Sequence, residues 1–176
     1  MRTLLSIALF FIILLLSNCT KSHDAVIPVF CDGLITDTLG TGDTARIYMQ
    51  NAFTPNVDML NDISRPVVKG LSAIIFTIYD ANSNIVFTTN QLTLPSPQGL
   101  ATCPGWGSSS PSTYEIYYYK IQATTTTNHH IGTCGDLYKL PCFPSTIPKS
   151  SLFFEDQLLL NGTYSPTSGE TISNCP

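Results

Sequence analysis

Four oxygen-bearing side chains stand close together in one short segment: Asn56, Asp58, Asn61 and Asp62. Carboxylate and amide oxygens are the ligands that calcium prefers, and the ion commonly takes six to eight of them. Calcium loops use glycine for their sharp turn, however, and residues 56–62 contain none. Without a metal, these side chains would accept hydrogen bonds from their own backbone. We therefore predict a polar turn without a metal and keep calcium binding as the alternative.

Histidines and cysteines in the second half of the chain raise the question of a zinc site. His129 and His130 are adjacent, so on a strand they point to opposite faces and cannot bind one ion together. Their spacing to Cys134 and Cys142 matches no common zinc pattern, and oxidised cysteines do not bind zinc. The sequence also contains no Gly-x-Ser-x-Gly elbow or other catalytic motif. We expect a protein that is not an enzyme and that uses no cofactor.

Five of the six cysteines lie after residue 30, an odd number that leaves one unpaired if the others form disulfides. Connectivity cannot be read from the sequence alone. We favour Cys142–Cys175, which would staple an apolar tail to the domain. Cys31–Cys134 is the natural second pair, because the first and last strands of a sandwich often lie side by side. Cys103 would then be the free thiol; the alternative is that none of the five pairs.

Residues 1–18 have the features of an export signal, with one basic residue, an apolar run over residues 4–16 and small or polar residues before Cys19. The run is shorter than the roughly 20 apolar residues that cross a bilayer. The Leu-Ser-Asn-Cys stretch that ends at Cys19 resembles the bacterial lipobox. This resemblance implies cleavage after residue 18, attachment of lipid with palmitate-type chains to Cys19, and a polar tether over residues 19–25. The alternative is an ordinary secretory signal with a chance cysteine.

The charge balance excludes one class of partner. The net charge is −4, and removal of Arg2 with the signal makes the remainder more acidic. No basic cluster survives, so the protein is not expected to bind nucleic acid. Charged residues are only 11% of the chain, and threonine, serine, tyrosine and asparagine take their place. This composition is typical of an extracytoplasmic β-protein.

Short alternating segments separated by polar turns predict an all-β fold. Residues 72–89 should form a hairpin that turns at residues 80–84, because asparagine and aspartate tolerate left-handed backbone angles. Residues 114–123 alternate clearly, the chain turns over residues 124–128, and residues 129–140 return. No convincing amphipathic helix is present. The pattern predicts an antiparallel sandwich over residues 26–140.

Other segments are predicted from their composition. Residues 26–30 and 45–53 should be strands, whereas residues 94–112, rich in proline, glycine and serine, should be a loop anchored by Trp106. Residues 141–176 read as a short irregular extension. Their leucines and phenylalanines are too apolar for a solvated tail, so the extension should pack on the sandwich.

Three blocks carry a family resemblance. Residues 51–62 read Asn-Ala-Phe-Thr-Pro-Asn-Val-Asp-Met-Leu-Asn-Asp, residues 76–87 contain Ile-Tyr-Asp and then Asn-Ile-Val-Phe, and Trp106 precedes Tyr-Tyr-Tyr-Lys-Ile. In order, they resemble blocks of the gliding-motility-associated C-terminal domain, the type B sorting domain of the Bacteroidetes type IX secretion system. Val57 and Met59 stand where that signature has glycines. The signature residues matched here are Asn51, Phe53, Pro55, Asn56, Asp58, Asn61 and Asp62.

The resemblance implies an immunoglobulin-like sandwich, here in a divergent Bacteroidetes lipoprotein. We expect a non-enzymatic module at the outer membrane or cell surface, with a structural or interaction role. Its partners would be the membrane, through the lipid, and an envelope protein. The alternative is a lipoprotein that binds glycan or calcium, through residues 56–62 or an outward-facing ring among residues 117–119.

Overall fold

The computed structural model describes residues 31–93, 96, 99–107, 111–159 and 162–175. Eight strands form a five-stranded sheet in the order β2-β8-β7-β4-β5 and a three-stranded sheet in the order β1-β3-β6. The all-β prediction is confirmed. The strands are β1 Arg46–Met49, β2 Ala52–Phe53, β3 Pro66–Lys69, β4 Leu71–Tyr79, β5 Ile85–Thr89, β6 Leu100–Thr102, β7 Glu115–Thr125 and β8 His130–Lys139.

Helical structure in the described residues includes the short 3-10 turns Lys149–Ser151 and Glu155–Gln157. Nothing helical in the described part of the chain is long and apolar enough to cross a bilayer.

The two sheets share one core. Along β4, the alternate residues Ile74, Phe76 and Ile78 are buried and share one face, although Thr77 between them is buried too. They belong to one buried cluster with Val68 of β3 and Ala101 of β6, from the smaller sheet. Burial of these side chains between the sheets is the main stabilising contribution.

The predicted hairpin is confirmed. Strands β4 and β5 pair antiparallel, with Tyr79 opposite Ile85 at the turn end. One carboxylate oxygen of Asp80 accepts the backbone N–H of Asn84 at 2.8 Å, and Ser83 takes a positive φ of 66°. Hydrogen bonds from Asn84, from its side chain foremost, lower the pKa of Asp80. The acidic side chain thus organises the turn as its residue type predicts.

The prediction of one strand over residues 45–53 is wrong. The chain divides there into β1, in the smaller sheet, and β2, in the larger one. Gln50 and Asn51 lie between them and bind groups elsewhere, Gln50 through a 2.9 Å hydrogen bond from Nε2 to the carbonyl of Ile63. Because β2 pairs parallel with β8, placing Ala52 opposite Tyr138, the five-stranded sheet is not wholly antiparallel.

The predicted loop over residues 94–112 also needs correction. It contains β6, which pairs antiparallel with β3. The sequence predicted neither of these two strands. Trp106 forms an isolated bridge with Ser64 through two backbone hydrogen bonds of 2.8 Å. Strands of three or four residues are too short for an alternating pattern to stand out.

Both favoured disulfides are present. Cys31 and Cys134 have Cα atoms 5.7 Å apart, and Cys142 and Cys175 have Cα atoms 5.0 Å apart. Cys103 is a buried free thiol. The chain after Cys31 runs beside β8 in irregular backbone, whereas the strand predicted over residues 26–30 lies outside the described residues.

Candidate functional site

The signature loop, residues 54–62, is closed by its own polar groups. The backbone N–H of Thr54 donates to the carbonyl of Asn61 at 2.8 Å. The two carboxylate oxygens of Asp62 accept the backbone N–H groups of Val57 and Met59, each at 2.7 Å. One side chain therefore fixes the position of two residues at the loop tip.

The loop tip has an unusual backbone. Val57 and Met59 have φ angles of 67° and 71°, in the left-handed region that favours glycine. A β-branched residue such as valine is a conformational outlier there. Both side chains point to solvent, 88% and 94% exposed. The left-handed conformation thus occurs at the two positions where the resembled signature has glycine.

The Asx residues of the loop accept hydrogen bonds from their own backbone, as predicted for a polar turn. Asn56 accepts the N–H of Asp58 at 3.2 Å, and Asp58 accepts the N–H of Leu60 at 2.9 Å. Asn56 Nδ2 also donates to the other oxygen of Asp58 at 3.0 Å. Across the described residues, no group of three or more His, Cys, Asp or Glu side chains is arranged to hold a metal ion.

The hypothetical zinc ligands are not brought together. Cys134 and Cys142 are each in a disulfide, with different partners. His129 lies 3.4 Å from Asp43, measured from Nδ1 to Oδ2, whereas the backbone N–H of His130 binds Asp37. The oxidised sulfurs leave no thiolate for a metal at either position.

A buried carboxylate supports the loop from behind. Glu170, in the C-terminal extension, accepts the hydroxyl of Thr54 and the side-chain amide of Asn61, the latter at 3.3 Å. Its other oxygen accepts the backbone N–H of Thr171 at 3.1 Å. Sequence reasoning missed Glu170, because a lone acidic residue in an irregular tail has no periodic signal.

The extension also holds Asn51, the first signature residue. The side chain of Asn51 donates to the carbonyl of Ser151 at 2.8 Å and accepts the backbone N–H of Phe153 at 2.6 Å. Arg65, just past the loop, pairs with Glu155 through hydrogen bonds of 2.6 and 3.0 Å. Residues 151–170 therefore hold the chain on both sides of the loop, and within the loop they bind the side chains of Thr54 and Asn61.

The extension has its own small core. Leu152 and Phe154 are buried with Ala52 and Leu140, and partly buried hydrophobic residues of the extension pack against them. Phe153, by contrast, remains 41% exposed. Apolar residues of the extension thus pack against the sandwich, as the hydrophobicity of residues 141–176 predicted.

An aromatic cluster joins the first and third blocks of the resemblance. The Trp106 ring lies between Phe53 and Tyr117, with centroid distances of 5.4 and 4.6 Å. The hydroxyl of Tyr117 donates to Glu115 at 2.9 Å, and Lys139 binds the same carboxylate at 3.2 Å. Burial, together with Glu115, raises the pKa of Tyr117 to about 12, so its hydroxyl stays protonated as a donor.

Two cavities border the described residues, and their walls contain no aromatic residue that would suit a sugar. One, of about 220 Å³, lies on the outer face of the larger sheet beside Ile35, Ile75 and His130. Another, of about 340 Å³, lies between the signature loop and the extension, beside Met59, Arg65 and Glu155. Neither is lined by a tyrosine.

Cys19, the predicted lipid attachment site, lies outside the described residues. No protein-family model, curated protein or solved structure matches this chain.

Proposed function

We propose that this chain is a non-enzymatic envelope lipoprotein whose sandwich serves as an interaction or structural module. Lipid on Cys19 would hold it at the outer membrane or cell surface. The sandwich would be an immunoglobulin-like fold related to the gliding-motility-associated C-terminal domain. An envelope protein would be its partner, and neither catalysis nor a cofactor is part of the proposal.

The backbone of the signature loop carries this proposal. Val57 and Met59 take left-handed angles where the resembled signature has glycines. Short sequence motifs recur by chance, but valine and methionine seldom adopt this conformation, and both stand where the signature has glycine. The backbone thus supports descent from a loop that once held glycine.

Contacts between the sequence blocks add independent support. Phe53 belongs to the first block, whereas Trp106 and Tyr117 belong to the third, 50 or more residues away in the sequence. Their rings are in contact. Contact between these rings gives the order of the matched residues a physical basis in packing.

The disulfides support export. Two closed disulfides form and persist in oxidising compartments, such as the periplasm and the cell surface, and are rare in the cytoplasm. They agree with the export signal of residues 1–18 and with a position outside the inner membrane.

The interaction role rests on the loop tip. Val57 and Met59 expose apolar side chains while their backbone N–H groups bind Asp62. Glu170 binds the side chains of Thr54 and Asn61 near the two ends of the same loop. A rigid loop loses little conformational entropy when it binds, which favours recognition by a protein surface. Scattered exposed apolar residues are normal, but these two are fixed in place at one tip.

Site-specific crosslinking in cells tests the proposal. A photoreactive amino acid replaces Met59 in one strain and Thr126, an exposed residue of the β7–β8 turn, in a control strain. We expect one discrete adduct with an envelope protein from position 59 and none from position 126. Equal adduct patterns from both positions, or no adduct from position 59, would contradict the interaction role.

A further inference from the structure

The outer face of the larger sheet carries an apolar surface. Ile121 and Ala123 of β7 point into the core, so the alternate residues of this strand point outward. Strand pairing places Ile75 of β4 opposite the outward-facing Gln122, and Ile35 lies beside them at the cavity of about 220 Å³. The four most exposed isoleucines of the described residues all lie on this face: Ile35 (61%), Ile75 (50%), Ile85 (61%) and Ile116 (38%).

Few charged groups interrupt this surface. β4 and β5 contain none, and the outward residues of β7 and β8 include one of each sign, Lys120 and Asp136. The Nζ atom of Lys120 donates to the backbone carbonyl of Asp32 at 2.6 Å. The uncharged neighbours of the isoleucines include Tyr118 and Thr124. An exposed apolar surface with polar surroundings marks a contact with lipid or with another protein.

The outer face of the smaller sheet, by contrast, is covered in part by the C-terminal extension. Tyr48 of β1 lies against Gly162, and the hydroxyl of Tyr164 donates to the carbonyl of Met49 at 3.4 Å. Val67 of β3 lies opposite Tyr48 on this face and is only 8% exposed. Of the two outer faces, the one on the larger sheet is therefore more open to a partner.

The described chain begins on the open face. Cys31 is bonded to Cys134, the residue of β8 that lies opposite the outward-facing Lys120. Eleven residues separate Cys31 from Cys19, a length that spans at most about 40 Å when fully extended. A lipid on Cys19 would therefore keep this face close to the bilayer. Contact through the smaller sheet would require these eleven residues to pass around the sandwich first.

We propose that the outer face of the larger sheet lies against the lipid surface to which the chain is anchored. This inference rests on the proposed lipid at Cys19. The exposed isoleucines would enter the boundary between headgroups and acyl chains, a depth that also favours tyrosine rings such as that of Tyr118. The anchor raises the effective concentration of lipid at this face, so a weak contact is sufficient.

Photocrosslinking on vesicles tests the proposal with an anchor that is supplied chemically. The mature chain, residues 19–176, is coupled through the Cys19 thiol to a maleimide lipid in vesicles of phosphatidylethanolamine and phosphatidylglycerol. The other cysteines do not compete, because Cys103 is buried and the remaining four form disulfides. The result is thus independent of whether the cell attaches lipid to Cys19.

The position of the photoreactive amino acid distinguishes the two faces. It replaces Ile75 in one preparation and Arg46, an exposed residue on the outer face of the smaller sheet, in the other. Because the two positions lie on opposite faces, we expect about fivefold more lipid adduct, or a larger excess, from position 75 than from position 46.

A charged substitution supplies a second measurement. With the photoreactive residue at position 122, Ile75→Asp should reduce the lipid adduct about threefold or more, because a carboxylate resists entry into the apolar boundary. Leu159→Asp makes the same change at an exposed position of the extension and should leave the adduct unchanged. Matching circular dichroism spectra would establish that both variants fold.

Four results would overturn the proposal. They are equal lipid adducts from positions 75 and 46, no lipid adduct from position 75, an adduct there with a second copy or with residues 20–30 in place of lipid, and a lipid adduct unchanged by Ile75→Asp. None of them bears on lipid attachment in the cell, which mass spectrometry of the mature N-terminus tests separately.

Discussion

At the scale of single residues, Val57 and Met59 hold a conformation that their side chains oppose. The left-handed region costs an L-residue roughly 1–2 kcal/mol, because Cβ approaches a carbonyl oxygen. The Asp62 carboxylate offsets this cost with two backbone hydrogen bonds. Strain that persists at an exposed loop tip is a reason to suspect function, since nothing in the packing of two solvent-exposed side chains requires it.

Glycine at these positions should stabilise the fold. Val57→Gly and Met59→Gly should each raise the free energy of unfolding by about 1 kcal/mol, because glycine relieves the left-handed strain and the lost side chains are exposed. Urea unfolding measures the change. Asn128→Gly is the control: Asn128 has a φ of 64°, but asparagine tolerates this angle, so stability should change by only a few tenths of a kcal/mol. Destabilisation by Val57→Gly would contradict the strain argument.

Cys103 should be inert while the protein is folded. The side chain is 1% exposed, and burial raises its pKa to about 11. At pH 8 only about one thiol in a thousand would be ionised, and thiolate is the reactive form. A thiol reagent such as DTNB should therefore label Cys103 only after addition of denaturant, with unlabelled Cys103→Ala as the blank. Rapid labelling of the folded chain at pH 8 would show that the thiol is not buried.

At the scale of elements, the sequence predicted those strands that are long enough to show an alternating side-chain pattern. The β4–β5 hairpin followed from alternation and from the Asp80 to Asn84 turn, and β7 and β8 followed from their length. The division of residues 45–53 into β1 and β2 did not follow, because the side-chain pattern continues while the hydrogen-bond partners change sheets. β3 and β6 were missed because four and three residues give too short a period.

In the candidate site, too, local features could be predicted from the sequence, whereas contacts between residues far apart in the chain could not. The signature loop could be identified from its residue order, whereas the residues that support it, Glu170 and Asp156, lie about 100 residues further along the chain. Such contacts depend on how the extension folds back, which no local pattern encodes. The aromatic cluster was predicted in part: Trp106 was expected to anchor its loop, but its contacts with Phe53 and Tyr117 were not predicted.

The Trp106 ring connects Phe53 of β2 with Tyr117 of β7, and the loss of this ring should destabilise the fold. Trp106→Ala removes the ring between Phe53 and Tyr117 and should lower the free energy of unfolding by about 3 kcal/mol or more. Trp106→Phe should recover part of the loss, because an aromatic ring remains. Guanidinium unfolding measures both variants, and Ile85→Ala, at an exposed position on β5, is the control. A loss for Trp106→Ala no larger than for the control would contradict a central role for the cluster.

At the scale of the whole molecule, the C-terminal extension acts as a support for the signature loop and for the β2 edge. The Cys142–Cys175 disulfide closes the extension on itself, and the Cys31–Cys134 disulfide fixes the start of the described chain to β8. The two bridges thus secure different ends of the molecule.

Removal of Cys142–Cys175 should loosen one region selectively. In the Cys142→Ser, Cys175→Ser variant, we expect a loss of roughly 3–4 kcal/mol of stability, from the chain-entropy model for a loop of this length. Amide hydrogen exchange should accelerate most at Asn51 and Ala52, whose N–H groups bind the carbonyl of Phe153. The Cys31→Ser, Cys134→Ser variant is the control and should leave those two amides protected. The same acceleration in both variants would contradict this division of roles.

The central claim is that the chain is exported and anchored by lipid on Cys19, so that the sandwich acts at the envelope. Mass spectrometry of the mature N-terminal peptide tests it most directly. We predict a peptide that begins at Cys19 with a diacylglycerol thioether, and loss of membrane cofractionation in Cys19→Ala but not in Ser22→Ala. An unmodified N-terminus at another residue, or a Cys19→Ala protein that still cofractionates with membranes, would contradict the account.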